Sequence, residues 1–389
     1  MAGSGQSLDV KKAYEELKKL REEIERVSID ELSNKVFLED KSLINKIKSV
    51  IRGETISYKY ALLTQLLAKV VNPNVNALVL QKKAGIKGSF DARSFCKKVV
   101  VEFEREYLEN VLGGSNDPYV SKPLRREMIS PDIVSEIKDK DGWISLYSIL
   151  KEVEDKGDVE FTRRVLKQVL LEIRKLQVEV WNRTEISISK SPTLADIIDA
   201  LNRFLAKPSE GARAQAVVYA LLRLVNKRIK AFEDIRTAKS TVADKFATKV
   251  ADIECVAKSG DVKVGISVTE HLDNDKLKEE LHKAIQRKIH KLILIAHKVD
   301  TSPSIQTEIE NYMKQYRIDV IIENLTAFVG MFTTILNDDM RKELLSEIIY
   351  VLKELKYLSH IKDWVSILED MKLAKRKQQN SLAPWMRLE

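Results

Sequence analysis

Hydrophobic positions recur at helical spacing over much of the chain. Residues 8–27 carry apolar side chains on one face and charged ones on the other, which predicts an amphipathic helix. A second predicted helix ends before Asn72-Pro73, because a residue that precedes proline is disfavoured in helical conformation. The predicted helices of this kind are 8–27, 58–71, 91–111, 131–155, 159–180 and 336–370.

The pattern changes after residue 210. A predicted helix over 211–235 is followed by two strand-like runs, 251–257 and 262–269, joined by the turn sequence Ser259-Gly260-Asp261. An amphipathic helix is predicted at 275–289. Beyond it, continuous apolar strands at 292–296 and 320–322 flank a helix at 304–315. Apolar strands that alternate with helices predict a sheet covered on both faces.

These patterns predict an α/β (α+β) protein with a helix-rich first half. A segment rich in Ser and Thr, 183–193, is the predicted linker. The chain is therefore divided into a mainly helical region at 1–190, a mixed-sheet domain flanked by helices at 191–335, and a C-terminal helical segment with a polar tail at 336–389. The length of 389 residues fits two or three domains.

Composition argues against a membrane-spanning, a secreted or a disulfide-bonded protein. No apolar run approaches the roughly 18 residues that a membrane span needs, and residues 1–6 lack the apolar stretch of a signal peptide. The two cysteines, Cys96 and Cys255, suggest neither a disulfide framework nor a zinc site. We therefore expect a protein of the reducing cytoplasm.

The net charge of +8 permits nucleic-acid binding without proving it. Between Arg203 and Lys249 there are eleven Lys and Arg residues against four acidic ones, a net charge of +7. Such a segment would attract a polyanion, with an affinity that falls as salt rises. A solvated helix face is the alternative interpretation.

The order of a helix, a strand pair, a helix and a buried strand resembles the core of PD-(D/E)XK nucleases. In that family the first hairpin strand carries an aspartate, and the second carries an acid and a lysine two residues apart. Carboxylates hold Mg²⁺, which polarises the phosphate and activates water, and a nearby cation offsets developing charge. Asp252 stands where the aspartate belongs, and Glu254 shares its strand face.

The second strand departs from this family pattern. Ser267 occupies the position of the acid and Thr269 that of the lysine. On the following helix Lys276, Glu280 and Lys283 form one stripe, so Glu280 can supply the acid and Lys283 or Lys276 the cation. Glu254 and Glu270 compete with Glu280. The predicted metal ligands are Asp252, Glu254 and Glu280.

Each of these residues also has an ordinary explanation. Asp252 and Glu254 fit an edge strand with two exposed acids, Ser267 and Thr269 are common strand residues, and the stripe on 275–289 fits a solvated helix face. His271, His282 and His290 lack the spacing of zinc ligands, and we expect them on the surface.

The middle of the chain carries a more specific likeness. Phe90-Asp-Ala-Arg-Ser-Phe-Cys96, the run Gly113-Gly-Ser-Asn-Asp-Pro118, Tyr60–Lys69 and Ala251-Asp-Ile-Glu254 resemble the SacI family of type II restriction endonucleases. The resemblance implies a Mg²⁺-dependent enzyme that cuts a short palindrome in double-stranded DNA. It also implies a homodimer and a cognate DNA methyltransferase as a system partner.

Within the matched stretch, polar side chains that can read base edges are candidates for DNA binding. For Asp91 the alternative is a helix cap, and for Asn116 a turn. With Arg213 from the basic segment, the predicted DNA-binding residues are Asp91, Arg93, Asn116, Lys122, Arg125 and Arg213.

Two other functions compete with the nuclease. The missing acid-x-lysine pair favours a non-cleaving DNA-binding protein with a decayed nuclease fold. A helical interaction scaffold without a nucleic-acid role is the third hypothesis, and a low-salt DNA-binding test separates it from the other two.

Overall fold

The computed structural model describes residues 7–237, 251–300 and 303–376. They form two compact units, the first ending at Trp181 and the second beginning at Asn182. The polar tail after residue 376 and the residues 238–250 of the basic segment lie outside the described residues.

The first unit is helical and is built around one central helix. Every residue of α4 (Ile56–Val71) after Ile56 is buried, as expected of a helix that is apolar on most sides. It packs against the amphipathic helices around it. The helices of this unit are α1 (Val10–Glu25), α2 (Ile29–Leu32), α3 (Lys41–Arg52), α4, α5 (Ala92–Phe95), α6 (Lys140–Lys156) and α7 (Val159–Arg183).

The predicted helix at 91–111 is irregular. It starts as α5 and continues through π-helical turns at Cys96–Val101 and Glu104–Leu108. It ends because Glu109 and Asn110 both adopt left-handed backbone conformation, which stops a right-handed helix. The polar loop that follows, 112–117, lies beside the helix, to which Arg93 and Glu104 tie it by hydrogen bonds.

The second unit contains a mixed five-stranded sheet, which confirms the predicted α/β class. Its strands are β2 (Asp234–Thr237), β3 (Ile253–Val256), β4 (Val262–Leu272), β5 (Lys291–Val299) and β6 (Asp319–Asn324), in that order across the sheet. The first three pair antiparallel and the last three parallel. A two-stranded sheet pairs β1 (Ile186–Ile188) with β7 (Ala374–Arg376).

Along the chain, helices precede the five strands of this sheet, connect its parallel strands and follow its last strand. The connections of the parallel strands are α10 (Asn274–Gln286) and α11 (Pro303–Tyr316), and α10 buries Leu277, Leu281 and Ala284 in a core with β5. The others are α8 (Leu194–Leu205), α9 (Ala212–Ile229), α12 (Leu325–Thr334), α13 (Asp338–Glu354) and α14 (Leu358–Asp370).

Two segments differ from the sequence prediction. The helix predicted over 211–235 ends at Ile229, where Lys230 is left-handed, and residues 234–237 instead form the edge strand β2. The segments 183–193 and 371–376, predicted as linker and tail, contain the paired strands β1 and β7.

The chain divides between Trp181 and Asn182, and within the second unit α13 packs on α9 and α14 on α8. The predicted domain boundaries stay a prediction. Among the described helices, none combines the length and apolar character that a membrane span requires. Cys96 and Cys255 are free and buried.

Candidate active site

A cavity of about 540 Å³ opens beside the end of the β3–β4 hairpin. Its lining combines acidic, basic and hydroxyl side chains with a few apolar ones. The polar residues that line it are Glu210, Asp252, Ser267, Thr269, Glu270, Lys276, Glu280 and Lys283. Six of the seven predicted catalytic residues therefore share one cavity.

Asp252 lies just before β3 and is half-buried. The register pairs Ile253 with Ile266, which brings Asp252 level with Ser267. One carboxylate oxygen, Oδ2, accepts the backbone N–H of Val268 at 2.8 Å. Its backbone carbonyl accepts hydrogen bonds from Thr237 Oγ1 (2.8 Å) and Gln215 Nε2 (3.2 Å). Strand β2 and helix α9 thus fix the position of Asp252.

Glu280 is buried on α10 and turned towards β4. The Ser267 hydroxyl donates to Glu280 Oε2 at 2.6 Å. Glu280 Oε1 lies 2.9 Å from Lys283 Nζ and 3.1 Å from Lys276 Nζ. Burial alone would raise the pKa of Glu280, but the hydrogen bonds from Ser267, Lys283 and Lys276 outweigh it and hold the pKa below its usual value. Glu280 is therefore an ionised carboxylate between two cations.

The two lysines stay protonated. Burial would lower the pKa of Lys276 and of Lys283, but hydrogen bonds to Glu279 and Glu280 reverse this and raise both values. An ammonium group with a raised pKa can offset negative charge, and it is a poor base.

The remaining predicted residues are placed differently. Glu254 is buried, but it faces Arg236 of β2, whose Nε lies 2.8 Å from Glu254 Oε2, and it does not line the cavity. Glu270 Oε1 accepts the backbone N–H of Gly211 at 3.2 Å. Thr269 donates to the carbonyl of His271 at 3.2 Å. Glu210, which the sequence analysis did not single out, also lines the cavity.

The donor set fits a hard divalent cation with an incomplete protein shell. Asp252, just before β3, and Glu280, on α10, both offer carboxylate oxygens to this cavity. In the part of the chain that the structure describes, no group of three or more acidic, His or Cys side chains could hold a metal ion. Mg²⁺ commonly binds through one or two carboxylates and completes its shell with water and substrate phosphate oxygens. His271, His282 and His290 are exposed, as predicted.

The described part of the basic segment before the hairpin is largely neutralised within its unit. Of its eight described cations, seven form ion pairs with acidic side chains: Arg203, Lys207, Arg213, Arg223, Lys227, Arg228 and Arg236. Arg213 is buried, pairs with Asp363 and donates to the carbonyl of Phe204 at 3.0 Å. This placement argues against the predicted DNA contact by Arg213, because its guanidinium is already used inside the unit.

In the first unit, hydrogen bonds connect the three segments that carry the predicted DNA-binding residues: the start of α5, the loop 112–117 and the segment with Lys122 and Arg125. Asp91 caps α5 by accepting the N–H of Ser94 at 2.9 Å, which favours the capping interpretation. Arg93, one residue into α5, binds Asp117 through Nη2 at 2.7 Å and Nε at 3.1 Å. Lys97 Nζ lies 3.4 Å from the same carboxylate. The start of the helix and the loop 112–117 are thereby joined.

The segment that carries Lys122 and Arg125 meets the same helix start through Leu80. The Leu80 N–H donates to the Glu127 carbonyl at 2.8 Å, and the Leu80 carbonyl accepts the N–H of Ala92 at 3.3 Å. Lys122, Arg125, Arg93 and Asn116 are all exposed. Asn116 accepts a hydrogen bond from Arg105, and Arg125 Nε donates to the Val120 carbonyl at 2.6 Å.

A buried carboxylate that sequence reasoning missed supports the loop 112–117. Glu104 Oε1 accepts the backbone N–H groups of Leu112 (2.8 Å), Gly113 (3.2 Å) and Gly114 (3.4 Å). Its other oxygen accepts the Tyr60 hydroxyl, which itself accepts the Ser115 N–H at 2.9 Å. Burial raises the pKa of Glu104 although these bonds oppose the shift. In the sequence, this role is indicated by Glu104 at a position of the predicted helix where an apolar residue is expected.

Comparison with known families gives two matches, to the two domains of one family of enzymes. Residues 14–174 match the SacI restriction endonuclease N-terminal domain, and residues 189–297 match the SacI restriction endonuclease C-terminal domain. The C-terminal match contains the whole cavity lining. A comparison with individual curated proteins gave no match.

Proposed function

This chain belongs to the SacI restriction endonuclease family, and we propose that it is a type II enzyme that hydrolyses phosphodiester bonds at a short palindromic site in double-stranded DNA. The family assignment supports a sequence-specific endonuclease. The metal dependence, the palindrome and the roles of individual residues are the proposal.

One observation carries the proposal. Asp252 and the ionised Glu280 line the same cavity, and two protonated lysines lie within 3.1 Å of Glu280. Two carboxylates with a nearby cation are the groups that metal-dependent phosphodiester hydrolysis needs. The site is thus a variant of the PD-(D/E)XK pattern in which helix α10 supplies what strand β4 lacks.

Each group then has a role. Asp252 and Glu280 would hold Mg²⁺, which when bound polarises the phosphate and lowers the pKa of an attacking water. Ser267 keeps Glu280 oriented and ionised. Lys283 or Lys276 offsets the negative charge that develops on the phosphate during attack. Glu254 pairs with Arg236 and does not line the cavity, and Glu270 lines it but is exposed and accepts the Gly211 N–H, so neither is proposed as a metal ligand.

The exposed polar residues of the first unit are the proposed DNA-reading surface. Arg93, Asn116, Lys122 and Arg125 can donate to bases or phosphates. A palindromic site has two-fold symmetry, so a homodimer is proposed. Since such an enzyme would cut its host's DNA in the cytoplasm, a methyltransferase that protects the same site is the proposed system partner.

A second candidate is a non-cleaving DNA-binding protein. It is favoured by the absence of an acid-x-lysine pair on β4, where Ser267 and Thr269 stand. This candidate predicts DNA binding that is unaffected by removal of divalent metal.

Digestion of a sequenced phage genome separates the two. With Mg²⁺ we expect discrete fragments whose mapped ends share one palindromic sequence, and we expect EDTA to abolish cutting. Binding without fragments under any divalent metal would support the non-cleaving candidate. Neither binding nor cutting would refute both.

A further inference from the structure

We propose that residues 82–87, here called the lysine loop, bind the sugar–phosphate backbone of duplex DNA beside the base-reading residues. The inference rests on the proposed function and extends it to a part of the chain to which no role has been given above. The loop reads Lys82-Lys-Ala-Gly-Ile-Lys87.

The charge of this loop is uncompensated. Lys82, Lys83 and Lys87 are all exposed, and none of them forms an ion pair with a residue that the structure describes. The cations of α9 provide the contrast, since acidic side chains of α13 neutralise Arg223, Lys227 and Arg228. Three unpaired ammonium groups within six residues repel one another and attract a polyanion.

The backbone beneath these lysines is held at both ends. Ser89 Oγ donates to the Lys82 carbonyl at 3.1 Å, and Ser89 N–H donates to that of Ile86 at 3.1 Å. Gly88 has φ +81°, and a Cβ there would lie 2.6 Å from the Asn74 carbonyl oxygen and from the Asn76 nitrogen. A fixed loop presents its charges without the entropy cost of ordering a mobile one.

The loop borders the proposed reading surface. The side chain of Gln81 donates to the Arg125 carbonyl at 2.5 Å. The chain on that side continues through Leu80, whose backbone bonds to Glu127 and to Ala92. The lysine loop therefore begins next to Gln81, which contacts the segment with Lys122 and Arg125, and leads in sequence to the helix start with Arg93. Positive charge beside side chains that can read bases is the arrangement expected where a duplex is held by its phosphates.

Lysine suits phosphate contact rather than base reading. Its ammonium is a point charge on a flexible stem, whereas arginine has a planar fork that matches guanine. Loss of phosphate contacts weakens binding to all sequences equally and lowers its salt dependence, by about 0.9 in the slope of log K against log salt for each contact. Loss of a base contact changes the preference between sequences instead.

The experiment compares the full chain with K82Q/K83Q/K87Q. Binding to two labelled duplexes, one with the cleavage site and one without, is titrated in EDTA at several salt concentrations. The matched control is K41Q/K46Q/K48Q on α3, which removes the same charge from a helix that packs on α6 and α4. A second control, K82R/K83R/K87R, keeps the charge.

We expect the glutamine variant of the loop to lose affinity for both duplexes by a similar factor, at least about tenfold near 0.2 M salt, with a shallower salt slope. The arginine variant and the α3 control should stay close to the unaltered protein. A loop variant that matches the α3 control, or that alters only the preference between duplexes, would overturn the inference. Failure of the unaltered protein to bind or cut DNA would instead overturn the proposed function.

Discussion

The carboxylates of Asp252 and Glu280 are held by consecutive residues of one strand. Asp252 Oδ2 accepts the N–H of Val268 at 2.8 Å, and Glu280 Oε2 accepts the hydroxyl of Ser267 at 2.6 Å. Strand β4 therefore sets the positions of the two carboxylates relative to each other, although neither of the two belongs to this strand. Ser267 links the helix acid to the hairpin through this hydrogen bond.

Asp252→Asn tests the first metal ligand. Asparagine keeps the shape and an acceptor for Val268 but removes the charge, so we expect cleavage to fall by at least about 1,000-fold while DNA binding is unchanged or tighter. Single-turnover cleavage and binding in Ca²⁺ measure the two effects. Asp261→Asn, in the exposed hairpin turn, is the control. Full activity of Asp252→Asn would remove the hairpin from the active site.

Glu280 is expected to be the second ligand, ahead of Glu254 and Glu270. Glu280→Gln should abolish cleavage, whereas Glu254→Gln and Glu270→Gln should reduce it modestly, because Glu254 does not line the cavity and Glu270 lies at an exposed position of β4. The cleavage rates of the three variants show which of the three acids the reaction needs most. A structure with Ca²⁺ in which the Glu280 carboxylate lies more than about 6 Å from the ion would contradict the assignment, since direct coordination requires roughly 2.3–2.6 Å.

Ser267→Ala should change the pH dependence of cleavage. The hydrogen bond from Ser267 lowers the pKa of Glu280, so its removal raises that pKa. Because the ionised carboxylate is the active form, the acidic limb of the pH–rate profile should move to higher pH, with the loss of activity greatest below neutrality. The Ser259→Ala variant, altered in the turn, should keep the original profile. An unshifted acidic limb in Ser267→Ala would show that Glu280 ionisation does not limit the reaction.

Arg93, Asn116 and Arg125 are expected to affect sequence preference. Alanine at a position that reads a base should cost about 1–3 kcal/mol of discrimination against the wrong base. Competition binding between the cleavage site and its single-base variants measures this. Arg52→Ala removes an exposed arginine paired with Glu179 and serves as the control. If all three variants discriminate as well as the control does, recognition lies elsewhere.

Glu104 is expected to be needed for the loop 112–117. Glu104→Ala leaves three backbone N–H groups and the Tyr60 hydroxyl without their acceptor, which should lower the free energy of unfolding by about 3 kcal/mol or more. Tyr60→Phe should cost less, about 2 kcal/mol, because it removes the two hydrogen bonds of the hydroxyl, to Glu104 and from the Ser115 N–H, while Glu104 keeps its three bonds to the loop. Urea unfolding measures both. Equal, small losses in the two variants would mean that the carboxylate does not support the loop.

Sequence periodicity was sufficient for most regular elements, including α1, α4, α10 and the buried strand β5. Those elements bury a continuous apolar face, so their pattern reflects local structure. The apolar run 320–322 does form strand β6, but the prediction that this strand is buried is wrong, because Ile321 is exposed and only Val320 is buried. Sequence periodicity does not predict β2, which overlaps the end of the helix predicted over 211–235, nor β1 and β7. Short strands of three or four residues have too few positions for alternation to show, and their pairing partners lie elsewhere in the chain.

By itself, the sequence determined the α/β class, the position of the hairpin with Asp252, and the stripe of Lys276, Glu280 and Lys283 on one helix face, because helix and strand periods fix which residues share a face. The surroundings of the competing acids depend on the tertiary structure, and which of them binds a metal stays a prediction. Only the tertiary structure turned Glu280 into the cavity, paired Glu254 with Arg236, and buried Arg213 against Asp363. Those outcomes depend on contacts between residues from about 13 to 150 positions apart, and sequence periodicity does not report such distances.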